Sequence, residues 1–191
     1  MNTVKLEKTS TGAVIPVSVL AKLASNRKLF LYGVIDNTKA SDIVSTLLLL
    51  DSSPNKENIT LFVSSYHASA QSILMICDCI ELLKSPVKVI CAGIVQDLSV
   101  LLLAVASEAK LTKNSMVCFD PLKLTPSMHK TGSAELLMKR AAEIEKRVYS
   151  IFAKKMKKPL KEIKEIFTKN LVWSPKEAIK NNLIDSIVTI N

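Results

Sequence analysis

The segment Ala92–Ala104, AGIVQDLSVLLLA, holds the arrangement most able to do chemistry. An apolar strand-like run reaches Gly93, turns, and starts an apolar helix with Asp97 in its first turn. A joint of this kind presents a reactive group, and a carboxylate there can give or take a proton. It can equally accept backbone N–H groups at a helix start, where the helix dipole favours negative charge. Ser99 is the nearest hydroxyl. Two residues turn about 200° around a helix, so Ser99 is expected to face away from Asp97. Histidine chemistry is limited to His67 and His129. The four cysteines (Cys77, Cys79, Cys91 and Cys118) sit in apolar surroundings, and Cys77-x-Cys79 lacks metal-ligand or redox spacing. They are expected to be reduced core thiols, and neither a metal nor a cofactor is expected.

The elements that must position these groups alternate between strand and helix. Leu29–Ile35 is a strand ending at Asp36-Asn37, and Lys39–Leu50 a helix with Ala40, Ile43, Val44, Leu47 and Leu50 on one face. Asp51–Asn58 is a polar loop, Ile59–Val63 a short buried strand, Ala70–Lys84 a helix and Val87–Gly93 a strand. The helix opened at Asp97 is expected to run to about Glu108, and Leu111–Phe119 to return as one strand stopped by Pro121. Ser133–Lys157 is a long helix with Ala134, Met138, Ala141, Glu145, Val148 and Phe152 near one stripe, suited to a partner helix. A shorter helix covers Pro159 to Thr168. Ser174-Pro175-Lys176-Glu177 is a capping box with proline at N1, and Ile187–Ile190 a closing strand. Repeated strand–helix units imply parallel crossovers and a layered α/β domain.

The 191 residues suit one domain with a sizeable core, 48% hydrophobic, yet no apolar run approaches the roughly 18 residues of a membrane span. The first residues lack the apolar core of a secretory signal and the arginine-rich character of a transit peptide, so a cytoplasmic location is expected, or an organelle interior after processing. Much of the net charge of +9 lies between Lys139 and Lys169. Aromatics are only 5% and glutamates are interleaved with the lysines, which favours a solvated helix face over a nucleic-acid or membrane surface.

In this order and spacing, the joints of the chain resemble the proteolytic subunit family of the Clp protease, serine peptidases that work with a AAA+ unfoldase. Thr9-Ser10-x-Gly12 resembles its axial loop, and Arg27-Lys28-Leu29-Phe30-Leu31-x-Gly33-x-Ile35-Asp36 its first core strand. Leu47–Asp51 resembles its LLFLE, and Ser174-x-x-Glu177-Ala178 with Asn182-Leu183-Ile184-Asp185 its closing segment. The resemblance implies a ClpP/crotonase-like α/β fold of repeated strand–strand–helix units with a protruding handle helix and strand. It also implies one domain over residues 1–191: an axial segment and first helix (1–26), a head (27–121 and 169–191) and a handle (about 122–168).

The resemblance places the family's nucleophile at Asp97, its catalytic histidine at Phe119 and its third triad member at Asn170, while the oxyanion turn SPGGS falls on Ser65–Ser69 with His67 and Ala68 for the glycines. No catalytic residue is therefore expected, because a triad without hydroxyl and imidazole loses about 10⁴–10⁶ in rate. The implied function is that of a non-catalytic, ClpR-type structural subunit beside an active paralogue in stacked heptameric rings. The AAA+ unfoldase would dock near Thr60, Phe62 and Leu82, where two family aromatics are absent, or on the paralogue instead. The alternatives are a homo-oligomeric binding scaffold of the same fold, and a peptidase or acyl-CoA enzyme with an altered site in which Asp97 acts alone. The lysine-rich handle is expected to favour a partner with net negative charge there.

Overall fold

Two glycines show how the long strands of this domain bend. Gly33 (φ 74°) and Gly93 (φ 109°) occupy conformations that side-chain-bearing residues rarely adopt, and each lies where a strand changes register. A Cβ at Gly93 would sit 3.0 Å from Ser64 Oγ on the neighbouring strand. The computed structural model describes residues 4–8, 14–122 and 134–188. Thr9-Ser10-x-Gly12, His129, the expected handle strand and the last residues of the closing strand lie outside them.

The chain opens with an antiparallel hairpin of β1 (Val4–Lys8) and β2 (Val14–Ser18), then α1 (Val19–Ser25). Four parallel strands follow in spatial order: β3 (Lys28–Ile35), β4 (Ile59–Ala68), β5 (Val87–Gln96) and β6 (Glu108–Thr112), with β9 (Ser186–Val188) beyond β6. The crossovers are α2 (Asn37–Ser52), α3 (Ala70–Leu82) and a 3₁₀ turn at Asp97–Val100 that runs into α4 (Leu101–Val105). The expected α/β architecture with a parallel sheet is present. Its strand–strand–helix units arise from strands broken in mid-course: the first half of β5 pairs with β6, and its outer half (Ile94–Gln96) pairs with β7 (Met116–Cys118). The expected single strand from Leu111 to Phe119 is thus two strands, separated by a turn in which Ser115 N–H donates to Thr112 O. The two-residue strand β8 (Val172–Trp173) was not expected; it pairs antiparallel with β7 and ties the C-terminal segment to the site.

The core lies between the sheet and its helices. Leu29, Leu31, Leu61, Val63, Val89 and Cys91 alternate inward along the strands, and Ala40, Ile43, Leu47, Ile73, Ile76 and Ile80 face them from α2 and α3. α5 (Ala134–Met156) buries Val148, Tyr149, Phe152 and Met156, and α6 (Leu160–Thr168) buries Ile163, Ile166 and Phe167. The expected stripe on α5 is therefore split: Val148 and Phe152 pack on the chain's own core, while Met138 is exposed. The capping box is formed as expected, with Ser174 N–H and Oγ both 2.7 Å from Glu177 Oε2 at the start of α7 (Pro175–Lys180).

A buried cation closes the lower edge of the sheet. Arg27, at φ 57°, donates to Glu57 O (3.1 Å), Leu50 O (3.0 Å) and Ser85 Oγ (2.8 Å), and Ser85 N–H donates to Asp51 Oδ1 at 2.8 Å. The hydroxyl and amide of Ser85 hold the Asp51 carboxyl down to about 2. One guanidinium thus joins the ends of α2, β4 and α3. Arg27→Ala strands two carbonyls and a hydroxyl in a closed pocket, and is expected to cost about 3 kcal/mol. A fall in urea midpoint at unchanged slope checks this.

Candidate functional site

Asp97 carries a backbone of φ 57°, a left-handed conformation that is costly for a residue with a side chain. The strand-to-helix turn therefore retains the sharp bend that presents a side chain, although the side chain is a carboxylate. Hydrogen bonds lock the bend from below. Ser99 is fully buried, its Oγ accepts from Gln96 N–H (3.1 Å), and it lies 2.5 Å from Gln96 O and 3.2 Å from Ser65 O. Ser99 points away from the cleft, as the helical angle implied.

Asp97 does not chiefly cap the helix. Its main partner is His67, whose Nδ1 lies 2.9 Å from Asp97 Oδ2. An ionised carboxylate can only accept, so the Nδ1–H of His67 donates to it. Burial pushes the Asp97 carboxyl up, opposed by His67 and the Leu98 amide, while the Asp120 carboxylate adds to the rise. A carboxyl raised by folding contributes most below its unfolded value of 3.8 and loses that contribution as pH rises through the folded value. Asp97→Asn keeps an acceptor for His67 and removes the buried charge. It is expected to melt about 1–3 °C above the wild type at neutral pH, with the gap closing below about pH 4. Thermal melts across that range check the sign.

His67 and Ala68 stand in strand, not in a turn. β4 runs on to Ala68, with His67 opposite Val34 and Ala68 opposite Ile35, and Ser69 N–H donates to Ile35 O. Ser69 then caps α3 by accepting from Ser72 N–H. Where the resemblance implied an oxyanion turn, the chain is paired with β3. Without the glycine pair it remains in extended pairing.

Phe119 is 1% exposed and faces inward. Its ring meets Trp173, Phe167 and Phe152 edge-to-face, with centroids 4.6, 5.2 and 6.3 Å away. These partners come from β8, α6 and α5, so the position joins the sheet to the C-terminal helices. Asn170, at φ 50°, follows α6 and lines the cleft. The cleft is ≈ 590 Å³ and is bounded by Tyr66, His67, Asp97, Asp120, Pro121 and Asn170 among others. Of the three residues at which the resemblance puts a triad, Asp97 and Asn170 line the cleft and Phe119 does not. Asp120 escaped sequence reasoning; it accepts from Gln96 Nε2 at 2.7 Å, and the signal was a carboxylate between a strand end and a proline.

The thiols offer no nucleophile here. Burial pushes Cys77 and Cys118 up and Cys91 to about 11, so all three are held as thiols. Among the described residues, no group of three or more His, Cys, Asp or Glu is placed to hold a metal ion. The groups facing the cleft can exchange protons through His67 and Asp97 and can accept hydrogen bonds through Asp120.

The docking candidates lie elsewhere. Thr60 and Phe62 are half-buried on the sheet face away from the helices, where Phe62 stacks on Phe30 with centroids 4.9 Å apart. Leu82 ends α3 at 82% exposure.

The sequence model of the Clp protease family matches residues 12–191. This chain belongs to the Clp protease family. It is similar to ATP-dependent Clp protease proteolytic subunit 2 of Streptomyces coelicolor, 25% identical over 96% of this chain and 85% of that protein. It is similar also to proteolytic subunit 1 of Thermobifida fusca (23% identical, 96% of this chain and 83% of that protein) and to proteolytic subunit 4 of Streptomyces avermitilis (24%, 96% and 82%). The chain therefore spans most of each relative's length. Among its described residues no helix is long and apolar enough to cross a membrane.

Proposed function

We propose that this chain is a non-catalytic structural and regulatory subunit of an ATP-dependent Clp-type protease, assembled with an active proteolytic paralogue into stacked heptameric rings. The observation that carries the proposal is the fate of the Phe119 position. A ring packed among Phe152, Phe167 and Trp173 cannot relay a proton to a residue at 97, and the residue at 97 is itself a carboxylate without a hydroxyl to activate. The paired strand at His67 and Ala68 supports the same reading. The chain's part in the complex is then to shape the ring and its chamber, cutting being left to the paralogue. The AAA+ unfoldase engages mainly through that paralogue, since Thr60 and Leu82 offer little aromatic contact area beside Phe62. The division into axial segment, head and handle belongs to this proposal, as does a cytoplasmic or organelle-interior site.

Affinity capture of the tagged chain from its native lysate tests the reading: an active Clp proteolytic subunit should co-purify in a ring-sized particle, with fluorophosphonate labelling confined to that subunit. Labelling of this chain overturns it. A binding scaffold of the same fold is the second reading, favoured by the open ≈ 590 Å³ cleft with its His67–Asp97 pair. It requires capture of this chain alone.

A further inference from the structure

The chain carries 26 Lys and Arg against 17 Asp and Glu, yet its ≈ 590 Å³ cleft has the opposite character. Asp97 and Asp120 both line it, and no Lys or Arg is among the described residues that do. Carboxylates on a concave, low-dielectric wall concentrate a negative potential there. The two are not equally engaged. Asp97, its side chain 16% exposed, already meets His67 Nδ1 at 2.9 Å and the Leu98 amide. Asp120 meets Gln96 Nε2 at 2.7 Å and, among the described residues, no second hydrogen-bond donor. A carboxylate offers about four lone-pair sites, so most of Asp120's accepting capacity is left over. Burial pushes the Asp97 carboxyl up and the Asp120 charge adds to the rise, a cost that a cation between the two would remove. The rest of the wall suits a hydrocarbon stem. Tyr66 is 60% exposed, and Ala68, Ala70, Leu98 and Pro121 add apolar lining. A cation is also drawn to the face of an aromatic ring.

We propose that this cleft binds an organic cation, with a guanidinium or primary ammonium seated on Asp120 and Asp97 and its alkyl stem along Tyr66 and Pro121. The proposal rests on the reading of the cleft as one without a working triad, and it names the ligand class that such a cleft takes. A planar guanidinium donates two parallel N–H groups and suits a carboxylate better than a point charge does. An anionic ligand is repelled by both carboxylates, and a neutral one gains little from them. Among the described residues no three ligating groups converge, which favours an organic cation over a metal ion. A free amine and a basic polypeptide side chain share this chemistry.

Calorimetric titration of the full chain with butylguanidine and with butylurea tests this, because the two probes share a shape and differ in charge. Butylguanidine is expected to saturate with a Kd below about 1 mM at low salt, and butylurea to show no binding up to about 10 mM. Asp120→Asn keeps the side-chain shape and an acceptor for Gln96, and should weaken butylguanidine about 10-fold or more. Tyr66→Ala should weaken it about 3-fold. If Asp120→Asn does not fold, Asp97→Asn replaces it with the same expectation. Equal binding of the two probes overturns the proposal. So does a butylguanidine Kd above about 10 mM, or an affinity unchanged in the Asn variant. A blocked Ala-Ala-Arg-Ala-Ala peptide separates the two sources of the cation: binding tighter than that of butylguanidine assigns the cleft to polypeptide side chains, and binding no tighter assigns it to a free amine. The titration needs neither a paralogue nor fluorophosphonate labelling, so its failure is distinguishable from failure of the functional reading.

Discussion

Phe119→Ala is expected to lower stability by about 3–5 kcal/mol, a drop of about 10 °C in melting temperature, without abolishing the fold's helical signal. The ring is fully enclosed and touches three others that belong to separate elements. Removing it leaves a cavity that β8, α6 and α5 can close only by moving together. Edge-to-face pairs add about 0.5–1.5 kcal/mol beyond buried area, which places the loss at the upper part of that range. Phe119→Leu, which refills most of the volume, should recover more than half of it. Calorimetry of the three proteins decides the matter. A loss for Phe119→Ala no larger than that of a surface substitution would show that the cluster does not carry the junction.

The same packing makes residue 119 a poor place for a histidine. An imidazole at residue 119 must either desolvate its nitrogens among carbon rings or swing toward the cleft and leave a phenyl-sized void. Chemistry and stability conflict at this residue. The aromatic cluster favours stability.

Sequence periodicity carried the sheet well because the inward residues of β3, β4 and β5 are long aliphatics at alternate positions, and α2 and α3 repeat them at helical spacing. What it missed depends on contacts between distant segments. β8 is two residues long and exists because β7 offers it an open edge. The extension of β4 through His67 needs β3 beside it, and a five-residue polar run gives no sign of that by itself. α4 ends at Val105, where the run Val105-Ala106-Ser107 must turn into β6; its apolar composition suited a longer helix. At the site, the resemblance picks out Asp97, Phe119 and Asn170 in order along the chain. It does not give their directions: one faces a histidine thirty residues away, and one turns into the core. Asp97 and Asn170 both adopt left-handed backbones that a local reading assigns to glycine first. Long-range packing holds these bends, because Ser99 is anchored to Ser65 O on β4 beneath the first and Asn170 N–H donates to Phe167 O at the second.

Asp97→Ser, made alone, is expected to leave hydrolysis of a fluorogenic peptide at the level of the wild-type chain, at least about 10⁴-fold below a complete triad. The bend would present a hydroxyl as it now presents a carboxylate. Its base would be missing, however, for the ring at 119 lies in the core and Asn170 is an amide. Among the described residues His67 is the one imidazole at hand, 2.9 Å from the present Asp97 oxygen. It approaches from β4, where the resemblance puts the oxyanion donors, so it would occupy that space while acting as base. Adding Phe119→His and Asn170→Asp should restore at most weak fluorophosphonate labelling, because β4 is still paired with β3 through Ala68. The decisive contrast is Asp97→Ser with and without His67→Ala. Robust labelling of the single variant that vanishes in the double variant would show that His67 can serve as the base, and that this cleft lies one substitution from activity.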